Sequence, residues 1–319
     1  LSDKIRYNIF KANDMYLSRI RQYQKQAAPL LKQERGVPVF QFEEVAFNSE
    51  LHPTYIYQDL SASYVKYLSE SDPELFKRSG FAMNSPYAMR KRCRMQMEYY
   101  RSCSGIFTMG KWIRRDLIER CGIDPEKVHH VGGGINLDPR LIHPAGRENN
   151  RILFVGRDFL RKGGYLVYEA FRLLKSEMPD LELYVAGPPA DPIQQPVEGY
   201  HYLGDCDHAT LSGLFNRCDV FCMPSYFEAY GLVFIEALAY GLPCIGRNVC
   251  EMPYFIEPGE TGLLLEEDRA EKLASLLQEL LHNERIKKNV IARRDDYLRE
   301  YAWDTVAERI HHVVTNNTH

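Results

Sequence analysis

The chain has 319 residues, with the apolar and charged content of a soluble globular protein and room for two domains. No apolar run approaches the length of a membrane span, the first residues show no secretory pattern, and the eight cysteines form no C-x-x-C pair and no Cys/His zinc spacing. The net charge of −3 is unevenly divided: residues 1–150 carry 23 basic and 17 acidic side chains, a balance of +6, whereas residues 151–319 carry 17 and 26, a balance of −9. The expectation is a cytoplasmic protein with reduced cysteines, whose first half faces something anionic.

Residues 1–35 read as a basic helix with eight Lys/Arg against three acids. Such a segment is either a solvated helix face or a peripheral contact with anionic lipid. Val37–Phe42 and Pro53–Tyr57 are short runs rich in β-branched and aromatic residues, as strands are. Asp59 follows the second run. It either caps a helix predicted over Leu60–Leu68 or faces a ligand. Pro86 opens a helix predicted to Arg101, and the run Arg90–Arg94 adds to the basic face. Gly105–Met109 reads as a strand, Lys111–Cys121 as a helix and Lys127–Val131 as a strand that carries His129 and His130. Three glycines, 132–134, come next; Gly133 belongs either to a plain hinge or to a backbone surface that a ligand can approach. Residues 137–150, polar and holding Pro139 and Pro144, read as a linker.

Beyond it, strands and helices alternate. Strands are predicted at Arg151–Gly156, Leu181–Ala186, Tyr200–Leu203, Asp219–Met223 and Cys244–Gly246, and helices at Gly164–Glu177, 207–217 and 232–240. This alternation predicts a parallel, doubly wound sheet, in which ligands sit at the carboxyl ends of the strands. Gly156-Arg157, Ala186-Gly187, Gly204 and Ser225–Gly231 all fall at or just past such ends. Residues 266–300 read as helical, and a last helix begins near Trp303.

The most informative stretch is Met223–Pro243, MPSYFEAYGLVFIEALAYGLP. A strand, a loop holding Glu228 and Gly231, a helix holding Glu236 and a Gly241/Pro243 stop follow one another. The free N–H groups at the start of such a helix favour an anion, and an ionised glutamate accepts hydrogen bonds from vicinal hydroxyls. Phosphates flanked by two polyol ends describe a nucleotide sugar.

Pro224-Ser225, Glu228, Gly231, Glu236-Ala237, Ala239, Gly241 and Pro243, together with the upstream VGRDFLRKGG at Val155–Gly164, resemble the signature of family 4 retaining glycosyltransferases. The resemblance runs from about Pro53 to Trp303. It implies an α/β chain of GT-B fold, two Rossmann-like domains facing across a cleft. An acceptor-side domain would occupy residues 1–136, with its first βα unit missing and the domain shortened. A linker at 137–150, a nucleotide-sugar domain at 151–302 and a C-terminal helix at 303–319 crossing back to the first domain would follow. It further implies a hexose transferred from a UDP- or GDP-linked donor to a glycan or lipid-linked acceptor, as in polysaccharide biosynthesis. Arg157, Lys162 and Glu228 would be catalytic. Glu236, Gly231, Tyr230, Leu232, Gly156, Asp59 and Gly133 would line the substrates, Glu236 holding ribose hydroxyls. Where many relatives carry His-Asp, this chain has Gln58-Asp59, so the histidine's role does not carry over. No cofactor, metal or nucleic acid is expected: Asp205-Cys206-Asp207 has the letters of a metal motif but falls in a strand-end loop, and Arg157 and Lys162 supply positive charge instead. The competing expectation, which the replaced histidine and short first domain motivate, is a non-catalytic sugar-nucleotide-binding subunit.

Overall fold

The computed structural model describes residues 22, 25–29, 31, 36–42, 51–81, 85–143 and 150–316. Most of the basic segment 1–35 and residues 144–149 of the predicted linker therefore lie outside the described residues. The chain divides into two compact units, one running to Gly132 and resuming at Ala307, the other spanning Gly133–Val306.

In the first unit, β1 (Val39–Phe42), β2 (Thr54–Gln58), β3 (Gly105–Thr108) and β4 (Val128–His130) form a parallel sheet in that order. β2 and β3 are buried along their whole length, which is why they read as continuous apolar runs. Ile56, Ile106 and Val128 pack with Tyr99, Tyr100 and Leu117 in the core beneath them. The helix after β2 spans Ala62–Ser71 and is capped by Ser61, whose hydroxyl accepts from the Tyr64 N–H at 3.0 Å. Asp59 is therefore not the cap: the helix starts two residues later than Leu60, and serine takes the capping position.

The second unit carries a six-stranded sheet, β5 (Arg151–Val155), β6 (Glu182–Ala186), β7 (Tyr200–Gly204), β8 (Val220–Cys222), β9 (Cys244–Arg247) and β10 (Gly262–Leu265). Its spatial order is β10-β9-β8-β5-β6-β7, and every pairing is parallel. Counted from β5, this is the doubly wound order 3-2-1-4-5-6, whose direction of winding reverses between β5 and β8. Ile152 opposite Val220 and Leu153 opposite Phe221 set the register there. The loops leaving β5 and β8 therefore stand at the point where such a sheet receives a ligand. Phe154, Phe221, Phe234 and Phe171 are wholly buried around these strands.

Eight free cysteines are present; Cys218, Cys222 and Cys244 are buried at or beside β8 and β9. Burial pushes the Cys222 and Cys244 thiols well above their ordinary range. Among the described residues, no helix is long and apolar enough to cross a membrane.

Candidate functional site

The site is built on the loops that leave β5 and β8. Backbone bonds tie the two loops together: the Tyr226 N–H donates to the Arg161 carbonyl at 2.9 Å, and Arg161 Nη1 donates to the Phe227 carbonyl at 2.6 Å. Two cations of one loop thereby face one carboxylate of the other. Lys162 Nζ lies 3.0 Å from Glu228 Oε2 and Arg161 Nη1 lies 3.5 Å from it. The Ser225 hydroxyl also reaches that oxygen, at 3.4 Å. The Lys162 and Glu228 side chains are each 15% exposed, so the pair is weakly screened yet open to a ligand.

Lys162 reaches this position because residue 156 is glycine. Its aliphatic stem crosses directly over the Gly156 Cα, in the space a β-carbon would fill. Gly156→Ala is expected to push the ammonium off Glu228 and to weaken the binding of an anion such as pyrophosphate here more than tenfold, while the thermal midpoint moves little; a titration and a melting curve on the same variant check this.

The loop after β8 ends at Gly231, which caps the Leu232–Ala239 helix with φ of 89°, a left-handed backbone that a side chain rarely adopts. No side chain caps this helix start, which leaves its first N–H groups without a side-chain acceptor. Two cations, Arg161 and Lys162, are balanced here by Glu228 and by Asp158, which lies 3.4 Å from Arg161 Nε; the helix N-terminus adds partial positive charge that suits an anion.

One turn into the helix, Glu236 is largely removed from water, and this burial raises its carboxyl above the ordinary value, opposed by the charges of His208 and Lys162. Lys162 thus acts on both glutamates, as the ion-pair partner of Glu228 and as a charge that opposes the effect of burial on Glu236.

The remaining candidates divide. Tyr230 is buried, and its hydroxyl accepts from the Gly133 N–H at 2.7 Å. A β-carbon on Gly133 would meet the Tyr230 ring at 2.5 Å, so this glycine allows a close backbone approach inside the second unit. Leu232, at the helix start, is half-buried. Arg157 is not brought to the Lys162–Glu228 cluster: its side chain is 78% exposed and lies 3.9 Å from Asp205. Asp59 belongs to the first unit, half-buried at the end of β2, where its charge and burial push the Tyr57 hydroxyl upward. Gln58 is wholly buried and accepts from the Tyr100 hydroxyl at 2.8 Å, so it is committed to the core.

Sequence reasoning passed over Arg161 and His208. Arg161 sits next to Lys162, and only the loop geometry separates its inward direction from the outward one of Arg157. His208 opens the helix after β7 and marks nothing in the sequence, since its effect on Glu236 runs between distant elements. Asp207, one half of the would-be metal motif, is the cap of that helix; its carboxylate accepts from the Thr210 N–H at 2.8 Å.

Two parallel α/β sheets, the second wound in the dinucleotide order with its charged cluster at the winding reversal, define a chain of the GT-B class. Solved structures of that class match it: sucrose-phosphate synthase from Thermosynechococcus elongatus with a TM-score of 0.71 at 19% identity, covering 96% of this chain and 79% of that one. A glycosyltransferase involved in lipopolysaccharide biosynthesis, WaaG, matches with a TM-score of 0.65 at 19% identity, over 90% and 81%. Residues 140–297 match the model of the family described as glycosyl transferases group 1. Among curated proteins it is 26% identical to a phosphatidyl-myo-inositol mannosyltransferase of Mycolicibacterium smegmatis over 67% of this chain and 58% of that one. It is 28% identical to a D-inositol 3-phosphate glycosyltransferase of Jonesia denitrificans over 58% and 50%. The chain thus spans little more than half the length of these curated relatives.

Proposed function

We propose that the protein is a metal-independent, retaining hexosyltransferase that takes its hexose from a nucleoside-diphosphate sugar. The observation that carries this reading is the Lys162–Glu228 pair beside the uncapped helix start at Gly231, at the winding reversal of the second sheet. As the donor's anomeric C–O bond breaks, negative charge gathers on the β-phosphate. Lys162 and the helix N–H groups are already in place to receive that charge, without reorganisation. Arg157, exposed and only loosely held by Asp205, swings onto the same phosphates; an exposed ion pair costs little to break. Arg161 helps to hold Glu228 in place through the same carboxylate oxygen.

The acceptor hydroxyl oxygen forms the new bond to the anomeric carbon on the face the phosphate leaves, and the departing β-phosphate oxygen takes the hydroxyl proton. The products are the glycoside and the nucleoside diphosphate. Glu228 is not the nucleophile, since its carboxylate is engaged by two cations and a hydroxyl. It orients Lys162 and meets the hexose. Glu236 accepts from the ribose hydroxyls, and Tyr230 and Leu232 shape the wall beside them. Metal independence rests on the cations supplied by the chain and on the use of Asp207 as a helix cap. The acceptor is a glycan or lipid-linked precursor, in keeping with the inositol-lipid acceptor that the mannosyltransferase relative's name implies.

Thermal unfolding with UDP, GDP and ADP in turn, in the presence of EDTA, tests the reading. A ligand that binds only the folded state raises the midpoint, by about 2.7 kcal/mol of stability at a hundredfold excess over Kd. One nucleotide is expected to raise it, and that nucleotide's sugar conjugate is expected to be turned over without metal. No shift with any of the three, or a shift abolished by EDTA, would overturn the proposal.

A further inference from the structure

The first unit contains a cavity of about 870 Å³ that the donor chemistry does not use. Its floor is β4, the edge strand of the first sheet, and its walls are the Lys111–Glu119 helix and the last helix beyond Ala307. Helical spacing turns Lys111, Arg114, Arg115 and Ile118 to one face, and Arg309, His312 and Val313 to the opposing one.

Two guanidinium groups are fixed at the ends of the strand. Arg114 Nε donates to the Val128 carbonyl at 2.9 Å, and Arg309 Nη1 donates to the Val131 carbonyl at 3.1 Å. The Arg114 bond uses one edge of its fork and leaves further N–H donors on the same plane. Between these anchors stand His129 and His130, both lining the cavity. The buried Nε2 of His129 has no hydrogen-bond partner among the described residues. Lys111 and Arg115 are exposed at the mouth, and neither has a carboxylate within ion-pair distance among the described residues. The acids that line the cavity are Glu119 and Glu126, against Lys111 and three arginines.

We propose that this cavity binds a phosphoryl anion, held by Arg114 beside the unpartnered Nε2 of His129 and closed at the mouth by Lys111 and Arg115. A planar fork anchored on a backbone carbonyl suits a tetrahedral oxyanion, because the fork loses little freedom when the anion arrives. Half-buried donors are also less screened than surface ones. The histidines report the same field. Burial and then the charges of Lys111 and Arg309 push the His130 imidazole down to about 4, and burial with Arg114 lowers His129. An entering anion relieves that repulsion. The phosphoryl group can come from a soluble phosphate compound or from the headgroup of a lipid, and the two sources share this chemistry.

The test is a titration of the whole chain with inorganic pyrophosphate, followed by NMR on the His129 and His130 ring resonances. It is run in protein carrying Lys162→Ala, which removes the competing phosphate ligand of the other unit. Saturable shifts of both rings are expected, with affinity at least tenfold weaker after Arg115→Gln or Lys111→Gln, which alter exposed side chains and leave the packing intact. Vesicles of phosphatidylcholine with and without phosphatidylglycerol form the second arm. Ring shifts and co-sedimentation with the anionic vesicles alone, lost in the same variants, would assign the site to a lipid headgroup. Rings unmoved by either probe, or moved equally in both variants, would overturn the proposal.

Discussion

Lys162→Ala is expected to lower kcat by about two to three orders of magnitude, the usual loss when one preorganised donor to a developing oxyanion is removed. The donor's KM should change far less, because the charge that Lys162 stabilises builds only as the sugar–phosphate bond breaks. Lys162→Arg should not restore the rate. The stem of Lys162 fits over a residue with no β-carbon, and a planar guanidinium cannot take the place of an ammonium 3.0 Å from Glu228 in that channel. Steady-state kinetics with the donor identified by thermal shift settle the matter; a kcat within a few-fold of wild type would remove Lys162 from the mechanism.

Glu236→Ala is expected to do the opposite, weakening donor binding by roughly 10- to 100-fold with kcat little changed. Hydrogen bonds to a charged acceptor are worth about 1.5–3 kcal/mol, which converts to that range. The pH dependence follows from burial. The Glu236 carboxyl is raised above its ordinary 4.5, so the folded protein keeps a proton that the unfolded chain has already released. This contribution to stability is fully present below the ordinary value. It is lost as pH rises through the raised folded value. Donor affinity runs the other way, because ribose hydroxyls need the ionised oxygens as acceptors: it grows as pH rises through the same window. Glu236→Gln should flatten both slopes. Melting curves across pH, with and without nucleoside diphosphate, would show identical slopes in wild type and variant if Glu236 were outside the site.

Much of the architecture was legible because buried parallel strands write themselves as apolar runs. β3 and β5 are each recoverable to within a residue or two from GIFTM and RILFVG alone. The position of the site was legible for the same reason: once strands and helices alternate, carboxyl ends and the loops beyond them are fixed. Short elements were not. The Pro73–Arg78 helix and β10 went unpredicted, although Asp72-Pro73 carries a cap and a first-turn proline, and GLLL follows a turn. A six-residue helix and a four-residue strand offer too few positions for periodicity to register. Side-chain direction was the other limit. Arg157 and Arg161 stand four apart in one loop, yet only Arg161 meets Glu228, because the choice depends on hydrogen bonds to the loop after β8. His208 acts on Glu236 from a different βα unit, a proximity that spacing along the chain does not encode.

The buried thiols of Cys218, Cys222 and Cys244 turn the second sheet into its own clock. A thiol reacts with an alkylating reagent only as thiolate and only when reached; all three are out of reach while β8 and β9 stay closed, and burial also holds Cys222 and Cys244 as thiols. Cys93, Cys121, Cys206 and Cys250 are only half-buried and label first, so mass spectrometry separates a fast group from a slow one. Cys103, buried in the first unit, is slow as well, so the peptides bearing Cys218, Cys222 and Cys244 are the ones that time the opening of β8 and β9, the strand that carries the loop of Glu228 and the strand beside it. A nucleoside diphosphate that binds only the closed form must lengthen that time by the factor 1 + L/Kd, where L is the free ligand concentration, which gives an affinity scale that requires neither acceptor nor turnover.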